Sequence, residues 1–208
     1  PPGAALLNPH QAGCEFPFKG LCSAGVAFYI VAALRTRLSK RGRQGLPDPR
    51  AWLDLVALGT VCDMVPLVDE NRVLTRHGLR WMQERRRPGI RALLDKARVG
   101  ADVPLDESHL GFTLGPRLNA PGRISSAEPA LSLLRARSDA EASAMAAEVE
   151  MFNTRRKELQ RRLTRTGFDT QKVDGKIGPL TIEAVRNYQR SIGMEPDGYA
   201  SLEILKKL

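Results

Sequence analysis

The stretch Leu55-Val56-Ala57-Leu58-Gly59-Thr60-Val61-Cys62-Asp63-Met64-Val65-Pro66-Leu67 decides how this chain is read. An apolar run passes through a Gly-Thr pair to a single carboxylate, Asp63, and a second apolar run with a proline follows. A charge set between buried-looking runs costs on the order of several kcal/mol unless something pairs with it. Backbone donors at a turn or helix end would serve, as would an arginine or a metal ion. The spacing alone leaves these open. The run Trp52 to Leu58 fits a helix ending at Gly59-Thr60 and fits a buried strand equally well.

Upstream of this stretch, Ala4-Ala5-Leu6-Leu7 is a short apolar run stopped by Asn8-Pro9, which predicts a buried strand entering a turn. Cys14 to Gly20 is a loop. Leu21 to Leu38 has helical periodicity, with Val26, Tyr29, Ala33 and Leu38 near one face. Ser39 to Pro49 is basic, rich in Gly and Pro, and reads as an exposed loop. Downstream, helices are expected over Glu70–Arg86 and Ile90–Ala97, with a polar linker from Asp102 to Glu107.

Leu110 to Arg123 carries three glycines and two prolines, which predicts a structured loop. Arg117, Asn119 and Arg123 are its polar groups. Forked arginine donors beside Gly-permitted backbone suit phosphate, and pairing with acidic neighbours suits them too. Glu128–Arg137 is expected as a helix. Ser138-Asp139-Ala140-Glu141 is a capping-box signature. The helix it starts runs to about Thr166, roughly 40 Å at 1.5 Å per residue. Met145, Val149, Phe152, Leu159 and Leu163 mark its apolar stripe, interrupted by Arg156. Beyond Gly167 the pattern changes to tight turns between short helices. Asp174-Gly175 and Pro196-Asp197-Gly198 are the turns, Pro179 opens one helix and Ser201 caps the last.

The composition, 42% hydrophobic and 26% charged over 208 residues, is that of one or two globular domains. No apolar run reaches about 18 residues, so no membrane-spanning helix is expected. No export signal is visible, and a start at Pro1 without Met suggests a fragment or processed form. The net charge of +9 favours polyanionic partners such as nucleic acid. Three cysteines at irregular spacing make a poor disulfide framework and point to a reducing compartment. His10, Cys14 and Cys22 match no common zinc spacing.

The first part, residues 1–158, resembles the DHH phosphoesterase family, specifically its RecJ-type single-stranded-DNA exonucleases. The carrying stretches are Leu6 to Gln11, Leu21 to Phe28, Leu55 to Leu67 and Pro116 to Arg123. The resemblance implies phosphodiester hydrolysis in the 5′-to-3′ direction, a role in DNA repair and recombination, and a cytoplasmic location. It implies two divalent ions, Mn²⁺ or Mg²⁺, held among aspartates and histidines. It places Asp63 on a metal-ligand position and Arg117, Asn119 and Arg123 near the nucleic-acid path. It also implies an aspartate motif and an Asp-His-His triplet, expected ahead of Ala4. The histidines present are His10, His77 and His109, none in such a run. This chain alone is therefore expected not to hold the metal stably and to be inactive.

The second part, residues 159–208, resembles the three-helix peptidoglycan-binding domain of cell-wall hydrolases. The carrying residues are Leu159-Gln160, Leu163, Gly167-Phe168, Val173 to Pro179, Tyr188-Gln189 and Pro196-Asp197-Gly198. Asp174, Gly175, Gly178 and Pro179 are expected to shape a turn rather than to act chemically. The expected architecture is an α/β fragment, mostly helical, joined through one long helix to a small all-α module. The seam falls at Lys157-Glu158-Leu159-Gln160, inside that helix. A recombined or misassembled reading frame would give this arrangement, as would a deliberate chimera. The competing function is a peptidoglycan-binding module carrying a passenger segment.

Overall fold

The computed structural model describes residues 7–122, 126–175 and 177–208, and these are mostly helical. In order they form α1 (Ser23–Lys40), a 3-10 turn (Pro49–Trp52), α2 (Leu53–Cys62), α3 (Asp69–Gln83), α4 (Pro88–Lys96), a π-helical segment (His109–Leu114), α5 (Gly115–Gly122), α6 (Glu128–Arg135), α7 (Asp139–Arg165), α8 (Pro179–Ser191) and α9 (Leu202–Lys207). Among the described residues there is no strand to carry the expected α/β character. The strand expected at Ala4–Leu7 lies, apart from Leu7, outside them. No described helix is long and apolar enough to cross a membrane. The chain divides into two compact units, Pro1–Arg86 with Ala101–Gly111, and Arg87–Gly100 with Phe112–Leu208.

The first unit is organised by α2. The helix does not stop at Gly59-Thr60 but continues through both to Cys62. Gly59 is tolerated because a Cβ there would stand 2.7 Å from the Cβ of Ala24 on α1, so the close approach of the two helices needs it. Thr60 is wholly buried; its hydroxyl donates to the Val56 carbonyl at 2.7 Å and lies 3.5 Å from the Cys22 thiol. Against α3 the contact is closer still. A Cβ on Gly78 would overlap the Leu53 carbonyl oxygen and the Ala57 methyl. Leu53, Val56 and Leu74 form the core there, with Leu21, Phe28, Tyr29 and Trp81 around them.

Two amides fasten the connecting loops. Buried Asn71 donates to the Gly20 and Pro66 carbonyls at 2.8 and 2.9 Å. Gln83 at the end of α3 donates to the Ala101 and Val103 carbonyls and accepts from the Leu105 N–H at 2.7 Å. The segment 101–105 is thereby held along α3.

The second unit is built on α7, which packs against α4, α5, α6, α8 and α9. Ser138 caps it, accepting from the Glu141 N–H, while the Glu141 carboxylate accepts from the Arg137 N–H at 2.8 Å. The buried face runs Ala142, Ala146, Val149, Phe152, Asn153, Arg156, Leu159, Gln160 and Leu163. Met145, expected on the stripe, is only partly buried. Alanines take its place because they let neighbouring helices come near. Arg156 is 2% exposed and donates to the Pro116 carbonyl at 3.1 Å.

The stretch expected to be a loop before Arg123 is helical. The π-helical segment passes directly into α5, with Pro121 inside the helix. Pro121 cannot donate to the Arg117 carbonyl, yet Ala120 packs on Phe152 of α7, and this tertiary contact outweighs the local signals. Gly78→Ala is expected to lower stability by roughly 1–3 kcal/mol through overpacking. Urea unfolding measures it; an unchanged midpoint would contradict the α2–α3 packing described.

Candidate functional site

Asp63 occupies the C-terminal cap of α2, with helical backbone angles and its N–H donating to the Gly59 carbonyl at 2.9 Å. Its side chain is exposed, not set between buried runs. The helix ends because Met64 turns into left-handed space, φ +57°, and stands 89% exposed. A carboxylate here adds to the negative end of the helix dipole, so water or a cation is the favourable neighbour. The field is felt next door: burial first, and then the charge of Asp63, push the Cys62 thiol up. Cys62 donates to the Leu110 carbonyl at 3.7 Å and is a packing residue.

A carboxylate oxygen is a hard donor suited to Mn²⁺ or Mg²⁺. Asp63 fits a ligand position but does not make a site. Among the described residues no group of three or more His, Cys, Asp or Glu could hold a metal ion. That statement covers His10, Cys14 and Cys22 as well.

Arg117 lies in α5 of the second unit, half-buried. Its Nε donates to Glu150 on α7 at 2.7 Å and its guanidinium donates to the Thr113 carbonyl at 2.8 Å. Glu150 also accepts from Asn153 at 3.1 Å. This fixes the plane of the arginine fork while leaving it partly accessible. Asn119 is exposed on the same helix. Arg123 lies outside the described residues. Glu150 and Arg156 were not legible as partners, because nothing in the sequence spacing places α5 against α7, whereas Thr113, four residues before Arg117, comes within reach because the stretch is helical.

The turns after α7 are held by two buried glutamines. Gln160 accepts from the Gly175 N–H at 2.7 Å and donates to Asp174 at 3.4 Å. Gln189 accepts from the Gly198 N–H at 2.9 Å and donates to Asp197 at 2.6 Å. Both glycines have positive φ, +79° and +76°, so each Asp-Gly pair turns where only glycine turns without strain. Gly178 is the N-cap of α8 and Pro179 its first residue. Around these turns Leu159, Leu163, Ile177, Val185, Tyr188 and Ile204 form one core.

Asp197 titrates below the usual carboxylate range, chiefly because Gln189 and then the Tyr199 N–H donate to it. A depressed folded value means that its contribution is present above about pH 3.9 and is lost as pH falls through the depressed value. Asp197→Asn is expected to be less stable than the parent at neutral pH. It should also lose less stability than the parent on acidification. Thermal unfolding at neutral and acid pH checks this; parallel losses in both proteins would contradict it.

Comparison with known proteins falls into two parts. Residues 153–208 match the family model described as "Putative peptidoglycan binding domain". Over 166 residues the chain is 43% identical to the single-stranded-DNA-specific exonuclease RecJ of Escherichia coli (strain K12), covering 77% of this chain and 29% of that protein. It is 37% identical over 172 residues to the same-named protein of Bacillus subtilis (strain 168), covering 82% and 20%. A third relative, a spore cortex-lytic enzyme of Halalkalibacterium halodurans, is 51% identical over 51 residues, 24% of this chain and 16% of that enzyme. Among solved structures, exonuclease RecJ bound to manganese superposes with a TM-score of 0.65 at 29% identity, covering 83% of this chain and 46% of that one. RecJ from Thermus thermophilus in complex with Mn²⁺ gives 0.65 at 30% identity, covering 83% and 27%. The chain spans under a third of the length of the exonucleases whose sequences it matches. Most of its length is therefore similar to RecJ exonucleases, and its last stretch, from residue 153, to peptidoglycan-binding domains.

Proposed function

We propose that residues 1–158 are part of a metal-dependent, single-stranded-DNA-specific 5′-to-3′ exonuclease of the α/β DHH phosphoesterase kind, and that residues 159–208 are a peptidoglycan-binding module. The observation that carries the first reading is the 43% identity over 166 residues to an exonuclease of that specificity. In such an enzyme Asp63 supplies one oxygen ligand to a divalent cation, Mn²⁺ or Mg²⁺. Asp63 would be one of the residues holding such a cation, which would supply activation of water and neutralisation of charge at the phosphodiester. The exposure of Asp63 at a helix C-terminus supports this, since a cation relieves the charge gathered there. Arg117, fixed by Glu150, together with Asn119 and Arg123, contacts substrate phosphate. The role belongs to DNA repair and recombination in the cytoplasm.

One carboxylate does not hold a divalent pair, so the 208-residue chain is proposed to be inactive by itself, the remaining ligands belonging to other parts of an intact exonuclease. The direct experiment replaces the matching stretch of the E. coli exonuclease with residues 7–158 of this chain. Manganese-dependent digestion of single-stranded DNA is expected from the graft, and loss of about 10²-fold or more in kcat on Asp63→Ala. A folded graft without nuclease activity, or one indifferent to Asp63→Ala, would contradict the reading. Digestion by the isolated chain would contradict its inactivity.

The second reading, a wall-binding module with a passenger segment, rests on the match over 153–208 and the 51% identity to a cortex-lytic enzyme. Retention of the chain on purified peptidoglycan is its expected outcome. Retention no greater than on an inert polysaccharide would remove it.

A further inference from the structure

Arg72, Arg76 and Arg80 recur every fourth residue along α3, and all three are exposed. At 1.5 Å per residue their Cα atoms are about 6 Å apart along the axis, on the scale of one phosphate step in an extended nucleic-acid strand. None of the three guanidinium groups has a hydrogen bond or ion pair among the described residues. By contrast Arg50, Arg86, Arg117 and Arg162 each hold a carboxylate. Unpaired like charges in one row repel, and a row of anions relieves them.

The row borders a groove of about 540 Å³ whose opposite wall includes Leu105. Gln83 fixes that wall through its three hydrogen bonds to 101–105, so the groove is built into the unit rather than formed by a chance side-chain arrangement. Leu79 gives it an apolar floor, and Glu107 is an acidic member of its lining. Thr75, also in the wall, is 4% exposed, and its hydroxyl has no hydrogen-bond partner among the described residues.

We propose that this face of α3 and its groove bind the phosphate backbone of a single nucleic-acid strand. The proposal deepens the exonuclease reading and rests on it for the identity of the strand. The arginines contact phosphates, so binding is indifferent to base sequence and steeply dependent on salt. It concerns only the first unit and assigns no role to Asp63 or Arg117.

The test uses the full chain and a fluorescein-labelled oligo-dT, read by anisotropy across a salt series. The triple variant Arg72→Gln, Arg76→Gln, Arg80→Gln is compared with Arg43→Gln, Arg135→Gln, Arg165→Gln, which removes the same charge at exposed positions elsewhere. The α3 triple is expected to weaken binding about tenfold or more and to flatten the log K against log salt slope by about 2, from roughly 0.7 per lost contact on a single strand. The control triple should keep the parent slope. Single Arg→Gln variants, each expected to flatten the slope by about 0.7, keep the test valid should the triple fail to fold. Equal losses in both triples, an unchanged slope in the α3 triple, or no binding by the parent chain would overturn the proposal. The graft nuclease assay scores the exonuclease reading separately. An active graft alongside an unchanged salt slope would remove this site and leave that reading standing.

Discussion

One unbroken helix serves two cores, and the second unit depends on it. The first half of α7 buries Ala142, Ala146, Val149 and Phe152 against α4, α5 and α6. Its last turns bury Leu159 and Leu163 among Ile177, Val185, Tyr188 and Ile204. Where the two meet, Asn153, Arg156 and Gln160 face inward, and two of these reach backbone: Arg156 the Pro116 carbonyl, Gln160 the Gly175 N–H. A helix interrupted there would leave those polar groups buried without partners, at a cost of about 1–3 kcal/mol each. The similarity to exonucleases and the similarity to wall-binding domains meet on this segment. The physics does not mark the meeting point with a break. Leu202 of α9 packs on the cluster of Ala120 and Phe152, so contacts cross it as well as the backbone.

The first unit places its one candidate ligand at a helix end. Gly59 and Gly78 let α2 lie close to α1 and α3, and left-handed Met64 ends the helix so that Asp63 stands at its cap. The carboxylate is accessible, next to a half-buried thiol and a left-handed Met64. Arg85 after α3 and Arg98 after α4 are left-handed in the same way, so the conformation of Met64 marks a helix end.

Much of the fold was legible wherever a local signal decided it. Ser138 with Glu141 gave the start of α7, and Ser201 that of α9. The Asp174-Gly175 and Asp197-Gly198 turns were readable because positive φ calls for glycine. The errors came where tertiary contact overrode local preference. Gly115, Pro116, Pro121 and Gly122 speak for a loop, and α5 forms because α7 receives Ala120 and supplies Glu150 and Arg156 to it. Gly59 suggested a helix stop and is instead a contact point. The alanines of α7 were missed because a small side chain gives a weak periodic signal. Asp63 and Arg117 were nameable from sequence, but their exposure and their partners are set by residues distant in the chain.

The most direct test of this account is native-state hydrogen exchange along α7. If the helix is a single element shared by both cores, the amides of Val149, Phe152, Arg156, Leu159 and Leu163 open with the same free energy and the same denaturant dependence. If Leu159 and Leu163 instead exchange through a separate, lower-energy opening while Val149 and Phe152 stay protected, the two cores are independent and the account of the second unit is wrong.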